Sequence, residues 1–592
     1  MIDYKKNRID YGETLSPPPG YKLDQAIATT YSLDLFALLS IPVALFYKKN
    51  LDGQVSETRM DILDAIQKTS DSVKVYCQKG NISVPKSFNK IVSFIDDCVS
   101  EILPADGRTS FHPKIWVIRY VKEKSPVIYR FFIMSRNLTF DRSWDLAYFM
   151  EGYVGRDVEK KNQPLIDFIR YLKSQSDFTN SSRFINDLKK VKFDFDFDNA
   201  FFHPMGFKKH KNPLPINCKD LLIISPFIDD NALFRFKKNC IGKRYLFSRK
   251  EELDKLSKKA LDDYETYCIS DKIIDGEDYF DEGSEFEALQ QNLHAKLFVC
   301  DSADKVRWFL GSANCTTAAL KKNTEFLIEL ITSNGSYSVN SIKNTLLGDD
   351  EKKQYFEPYE RKNDHEYEKD QEEDLIRSTM YRLMQFLDED KLTGNCYLAG
   401  ETHEKYNVNI SITSKPKIDL SLFKLQFSLY GREDYRELKE IGEEVFERIN
   451  IENLSPFLDW KLVHMESKSS KEFITKMAIQ LPPNRKDAVL RSIIQSKEKF
   501  FKFLQFLLGY DSGNIEFTKG IQQTGGTNAG EAFIWSQEGA ILEELLINIS
   551  RNPERILEID RIIEKLSSDK EKSPIPEDFL KFWEVIKPFV NG

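Results

Sequence analysis

The chain reads as an α/β protein: two pseudo-repeated α/β lobes, followed by a small antiparallel β module and a helical C-terminal region. Three observations predict it. The same succession of apolar runs and polar turns occurs twice within the first 345 or so residues. Beyond about residue 393 the apolar pattern shortens to period 2, as half-buried strands require. From 484 onward apolar residues recur at helical spacing, among them Ile541, Leu542, Leu545, Leu546 and Ile549.

At roughly 100–200 residues per domain, a chain of 592 residues needs several cores. The changes of pattern divide it into a first lobe (1–205), a second lobe (206–345), a charged linker and helix (346–392), a β-rich accessory module (393–482) and a helical region (483–592). In the first lobe the apolar stretch Leu35–Phe46 precedes a β-like run at 73–80. The runs FHPKIWVIRY (111–120) and VIYRFFIM (127–134) follow, and then an SRNLT turn. In the second lobe DLLIISPFIDD (220–230) and RYLFSRK (244–250) lead to LHAKLFVCD (293–301). VRWFLG (306–311), a SANCT turn and EFLIELIT (325–332) complete the unit. Strands alternating with helices predict mostly buried sheets.

Residues 345–375 are heavily charged and mainly acidic, a solvated linker or exposed helix ahead of a helix expected at 374–387. An amphipathic helix is expected to interrupt the β module near 434–449, and further helices are expected at 484–509 and 537–592. The loop 524–531 is glycine-rich, but no GxxxxGK[ST] occurs in the chain, so a phosphate-binding P-loop is not supported.

With 41% hydrophobic and 30% charged residues, the composition is that of a soluble globular protein. A net charge of −8 argues against a uniformly basic coat for nucleic acid, although a local basic groove is compatible with it. The eight cysteines form no CxxC pair and read as reduced, packed thiols. The first twenty residues lack an apolar signal core, and the apolar stretch 35–46 is well short of the ~20 residues needed to span a bilayer. A cytoplasmic location without stable membrane association is expected, with no cofactor and no metal.

Of the seven histidines, two head an HxK on an apolar, β-like run: His112 with Lys114, and His294 with Lys296. On a strand, residues i and i+2 share a face, so each pair would present an imidazole and an ammonium together. Those groups suit attack on a phosphoryl centre and neutralisation of its charge. One more apolar run follows each HxK, and then a Ser-x-Asn turn: Ser135-Arg136-Asn137 in the first unit, Ser312-Ala313-Asn314 in the second. An acidic residue then opens the next apolar run, Asp145 or Glu325. A carboxylate on the second ring nitrogen of a histidine would fix its tautomer. Arg136 is either a phosphate contact or an ordinary turn arginine. The basic stretch 207–212 reads as a solvated interlobe linker in preference to a nucleic-acid contact, and the other five histidines as structural or surface residues.

These motifs resemble the phospholipase D superfamily. In the second unit His294, Lys296, Asp301, Gly311, Ser312, Asn314, Asn323 and Glu325 fill its HxKxxxxD, GSxN and NxE pattern. In the first, His112, Lys114, Ser135 and Asn137 are in place, Asp145 stands where the Glu belongs, and Arg119 occupies the Asp position. That missing Asp resembles the tyrosyl-DNA phosphodiesterase branch.

The resemblance covers about residues 20–345 and implies two phospholipase-D-like lobes sharing one active site. It implies a two-step, metal-independent phosphodiesterase reaction through a covalent phosphohistidine. The N-terminal His112 would be the nucleophile and His294 the acid, with Lys114, Lys296, Asn137 and Asn314 holding phosphate oxygens. Ser135, Asp145, Asp301, Ser312 and Glu325 would support them. Among members of the superfamily the chain looks most like a bacterial DNA or RNA nuclease of an anti-phage or restriction module. Nucleic acid would be its substrate, and a helicase or ATPase subunit its partner. A phospholipid phosphodiesterase or transferase is the alternative, and a partly degenerate nucleic-acid-binding or regulatory subunit a third.

Overall fold

A computed structural model describes residues 14–46, 71–85, 88–104, 109–139, 143–207, 210–270, 292–348, 356–361, 371–388, 391–400, 404–419, 421–438, 441–493 and scattered positions between 560 and 584. The expected helices beyond 493, apart from those positions, and the loop 524–531 lie outside the described residues.

The first lobe supplies β1 (Lys22–Thr30), β2 (Val73–Gln78), β3 (Val99–Ile102), β4 (Ile115–Val121), β5 (Ile128–Met134), β6 (Ser143–Trp144), β7 (Ala147–Val154) and β8 (Val191–Asp194). All but β6 form one sheet in the order β3-β2-β1-β4-β5-β7-β8. Next come β9 (Asn199–Met205), β10 (Asp220–Ile224), β11 (Arg244–Ser248), β12 (Glu265–Ile269), β13 (Asn292–Leu293), β14 (Leu297–Asp301), β15 (Val306–Gly311), β16 (Glu325–Thr332) and β17 (Phe356–Pro358). The second sheet runs β17-β12-β11-β10-β14-β15-β16-β9, and β13 pairs with β6 of the first lobe.

In both sheets three parallel strands meet an antiparallel run at the strand after the HxK, so the repeat seen in the sequence is a repeat of topology. β9 falls in the 1–205 segment yet pairs with β16, and β17 falls in the charged linker yet edges the second sheet.

Continuously apolar runs such as IYRFFIM and EFLIELIT bury both faces, which is why they read without alternation. One core lies between the two sheets, joining Phe131 of β5, Phe202 of β9 and Phe326 of β16 with Phe168 of the helix Gln163–Gln175. The outer face of the first sheet is covered by the helix Leu35–Phe46 and by C-terminal residues including Val489 and Trp583. That of the second is covered by the helix Asp230–Asn239, whose Phe236 stacks on Phe298. None of the described helices is long and apolar enough to cross a membrane.

The accessory module contains β18 (Leu392–Leu398), β19 (Lys405–Ile412), β20 (Phe423–Leu429), β21 (Arg436–Glu437), β22 (Gly442–Asn450), β23 (Phe457–His464), β24 (Ser470–Lys476) and β25 (Ala478–Gln480). They make two four-stranded sheets around a shared core that includes Ile410, Phe427, Phe446 and Trp460. The helix expected at 434–449 is absent, and β21 and β22 occupy that stretch. Phe446 and Ile449 look helical in the sequence because they lie three apart. A bulge produces that spacing: Val408 and Tyr406 face Phe446 and Ile449 across a register shift, with Arg448 at φ +52°. The module is tied to the first lobe by Lys476 N–H donating to Glu101 at 2.7 Å, and the helix Arg485–Ile493 that follows it by a buried Arg485–Asp96 pair at 2.6 Å.

Candidate active site

The two HxK motifs stand just before β4 and β14 rather than on them. Their backbone bonds lead across to the opposite lobe, which removes them from the sheet ladders. His112 N–H donates to the Thr324 carbonyl at 2.8 Å, and the N–H groups of His294 and Ala295 both donate to Trp144 at 3.0 Å. Pro113 has no N–H to offer a ladder in any case. Each motif is thus pinned beside the acidic residue of the other repeat.

The carboxylates are correspondingly crossed. Glu325 Oε2 meets His112 Nδ1 at 2.9 Å, and Asp145 Oδ1 lies 3.5 Å from His294 Nδ1. The second distance is beyond a normal hydrogen bond, so Asp145 faces the His294 ring without a close bond to it. Each carboxylate is held by the serine of its own Ser-x-Asn turn: Ser312 Oγ donates to Glu325, and Ser135 Oγ to Asp145 at 3.3 Å. The same hydroxyls accept the Phe326 and Leu146 N–H groups, both at 3.0 Å. Asn323 Nδ2 adds a bond to Glu325 at 3.2 Å while its Oδ1 accepts Ser110 N–H, bracing the approach to His112. Gly311 precedes the second turn at φ +151°, and a Cβ there would stand 2.2 Å from the Phe326 carbonyl and 2.9 Å from Ile133 of the other lobe.

Lys114 and Lys296 are buried, each donating to the carbonyl of its own histidine at 3.0 Å and 2.7 Å. Burial lowers both ammonium pKa values most, in Lys296 to about 7, and Lys296 further lowers Lys114. Burial also pushes both imidazoles down to about 4. For His112 the Glu325 charge opposes this while Lys114 and Lys296 add to it; for His294 it is Lys296 that adds most and Asp145 that opposes. The imidazoles are neutral at neutral pH. Burial would raise Glu325, but His112, Lys114 and Ser312 outweigh it and hold the carboxyl ionised. With Glu325 accepting from Nδ1, the free nitrogen of His112 is Nε2. Every one of the four basic groups feels a lysine of the opposite lobe or its carboxylates, so the two halves form one site.

Asn137 and Asn314 each bury a side-chain oxygen that has no partner, an opening that an incoming polar group would satisfy. Arg136 folds back onto its own loop, donating to the Thr139 carbonyl at 3.0 Å. Asp301 is not beside the imidazoles: it ends β14 and accepts the Val339 N–H at the start of a helix at 3.1 Å. Arg119, at the equivalent place, is buried between Asp24 and Asp187 at 2.6 and 2.7 Å, the second carboxylate coming from the helix Ser181–Leu188. Both positions tie a strand to a helix, with the polarity reversed.

Two features are not legible in the sequence motifs. Tyr31 packs edge-on against the His112 ring at 5.0 Å, with Lys114 Nζ 5.9 Å from its centroid. The loops carrying it and its counterpart, TYSLD at 30–34 and SPFID at 225–229, bracket the two Ser-x-Asn turns in the same way. Thr30 and Ser225 hydroxyls accept the Leu138 and Cys315 N–H groups, while Asp34 and Asp229 N–H groups donate to the carbonyls of those same two residues. The recurring hydroxyl-x-x-aliphatic-Asp is the signal that could have found them.

No family model matches this chain, and no curated protein matches it. Solved structures similar to it include yeast tyrosyl-DNA phosphodiesterase, 12% identical over 53% of this chain and 83% of that one, with a TM-score of 0.33. A mutant of that enzyme is also 12% identical, over 57% and 89%, at 0.33. Polyphosphate kinase from Porphyromonas gingivalis is 9% identical over 55% and 42%, at 0.29. These neighbours are members of the phospholipase D superfamily, the one the motifs resemble.

Proposed function

We propose that this chain is a metal-independent phosphodiesterase acting on DNA or RNA through a covalent phosphohistidine. The observation that carries the reading is the crossed pair of half-buried neutral imidazoles, each faced by a carboxylate from the other lobe and flanked by a buried lysine. His112 Nε2 attacks phosphorus while the bond to the leaving oxygen breaks. His294, protonated as the anionic substrate binds, gives its proton to that oxygen. His294 then takes a proton from water, whose oxygen displaces Nε2 and regenerates the free imidazole. Lys114 and Lys296 balance the charge on the non-bridging oxygens, in a site whose burial strengthens every such contact.

The test is incubation with single- and double-stranded DNA, RNA and labelled phosphatidyl lipids in EDTA, with acid-quenched digests mapped for a phosphohistidine. Cleavage of nucleic acid with an adduct on His112 is expected. Activity on lipid alone would turn the reading to a phospholipid enzyme, and no adduct on either histidine would remove the mechanism. A separate helicase or ATPase subunit, as in anti-phage modules, is the partner to seek by co-purification.

A further inference from the structure

The two bracket loops match in their bonding yet differ in what they carry. Thr30 Oγ1 donates to the Ser32 carbonyl at 2.7 Å, and Ser225 Oγ to the Phe227 carbonyl at 2.8 Å. Ser32 and Phe227 are therefore equivalent positions, one small and polar, the other a phenyl ring left 43% exposed. An exposed ring of that size on a loop clamped to the Asn314 turn has an apolar face turned to solvent beside the site.

Beneath it lies Arg249, at the end of β11, with its guanidinium carbon 4.3 Å from the Phe227 centroid and its Nε donating to the Pro226 carbonyl at 2.9 Å. Glu252 contacts Arg249 at 3.4 Å and Lys255 at 2.7 Å, so that its charge is shared between two cations. The Arg249 charge reaches the active site, where it acts on Lys296. At the equivalent place in the first lobe stands Gln78, which is consumed in accepting the Phe111 N–H at 2.7 Å. At the two positions equivalent to Phe227 and Arg249 the first lobe thus has Ser32 and Gln78, neither an aromatic ring nor a cation, and the exposed ring with its guanidinium belongs to the second lobe.

We infer that Phe227 and Arg249 form a recognition platform for single-stranded nucleic acid, Phe227 stacking an unpaired base and Arg249 meeting the flanking phosphate. This rests on the phosphodiesterase reading above and names the substrate class on the second lobe's side. A base paired within a duplex has no free face for the ring, whereas an unpaired one has. A phospholipid offers the phosphate but no planar group to stack.

The test is binding of a fluorescein-labelled oligothymidylate by fluorescence anisotropy in EDTA, on a His112→Ala background that prevents turnover. Phe227→Ala is expected to weaken binding roughly five- to a hundredfold, and Phe227→Trp to retain it. Arg249→Gln should lower the slope of log affinity against log salt by about one. In the otherwise wild-type enzyme, Phe227→Ala should leave kcat/KM for methyl p-nitrophenyl phosphate, which lacks a nucleobase, within twofold. Unchanged oligothymidylate binding in Phe227→Ala overturns the platform, as does equal loss on the small diester. Cleavage by the wild type with such unchanged binding would remove the platform and keep the phosphodiesterase. Binding that depends on Phe227 without any cleavage would do the reverse.

Discussion

In the first half-site a wholly buried Glu325 meets His112 at 2.9 Å; in the second, Asp145, 17% exposed, stops 3.5 Å short of His294. The frames around them are the same, with a serine hydroxyl on each carboxylate and a lysine two residues past each imidazole. What differs is one methylene and the access of water. Asp145 also divides its oxygens between Ser135 at 3.3 Å and Ser143 at 2.8 Å. A short, dry contact fixes one tautomer, whereas a longer, wetter one leaves the ring freer to gain and lose a proton. In the proposed mechanism this asymmetry suits His112 to the part of nucleophile and His294 to that of proton shuttle.

The most severe probe of the asymmetry removes the rings. His112→Ala should lower kcat/KM on a cleavable oligonucleotide by on the order of 10³-fold or more, with no adduct formed. His294→Ala should cost a similar amount but allow an adduct to persist on His112, read by mass spectrometry of quenched digests. An adduct on His294 in the His112 variant would invert the roles.

The orienting carboxylates separate the two halves more finely. Glu325→Gln should reduce kcat/KM by about 10²-fold or more, and Asp145→Asn by distinctly less. Equal losses would mean that the 0.6 Å difference between the two contacts has no consequence in catalysis.

Acidity provides a third probe. Lys296 titrates near 7 in the free site, so its ammonium is present below that pH and lost above it. The pH profile of kcat/KM, which reports the free enzyme, should fall on the alkaline side with a midpoint near 7. Lys296→Arg, charged throughout, should abolish that limb whatever its absolute rate.

The smallest effects concern the reversed positions. Arg119→Met strands Asp24 and Asp187, both reaching water, and should cost about 3 kcal/mol of stability, the low end for a broken buried pair. Asp301→Ala removes one acceptor from a helix start and should cost about 1 kcal/mol. Denaturant midpoints at neutral pH check both, and activity at low temperature should survive in each.

The spacing of HxK, Ser-x-Asn and the acidic residue is readable because strands and turns recur locally. The crossing of the carboxylates is not. Nothing near His112 in the chain points to Glu325, and the bridge between Phe111 and Thr324 that joins them is a long-range contact. Asp301 reads as a support for the site by its place in a motif, yet its carboxylate accepts from the start of a helix. The bulge at Arg448 turns a strand into an apparent helix by shifting one residue, a change that periodicity alone cannot detect. Phe227 belongs to an apolar run, and its exposure depends on a turn whose geometry comes from Ser225.

On the proposed mechanism, crossed carboxylates also make catalysis a property of the seam. Neither lobe contains both an imidazole and the group that aims it, so a gap of an ångström or two along the seam would disarm both histidines together while each sheet kept its hydrogen bonds. Activity would then serve as a gauge of lobe closure, fading before the loss of secondary structure as denaturant rises. A ligand or partner that wedged the lobes apart would have an off-switch without touching a single catalytic atom.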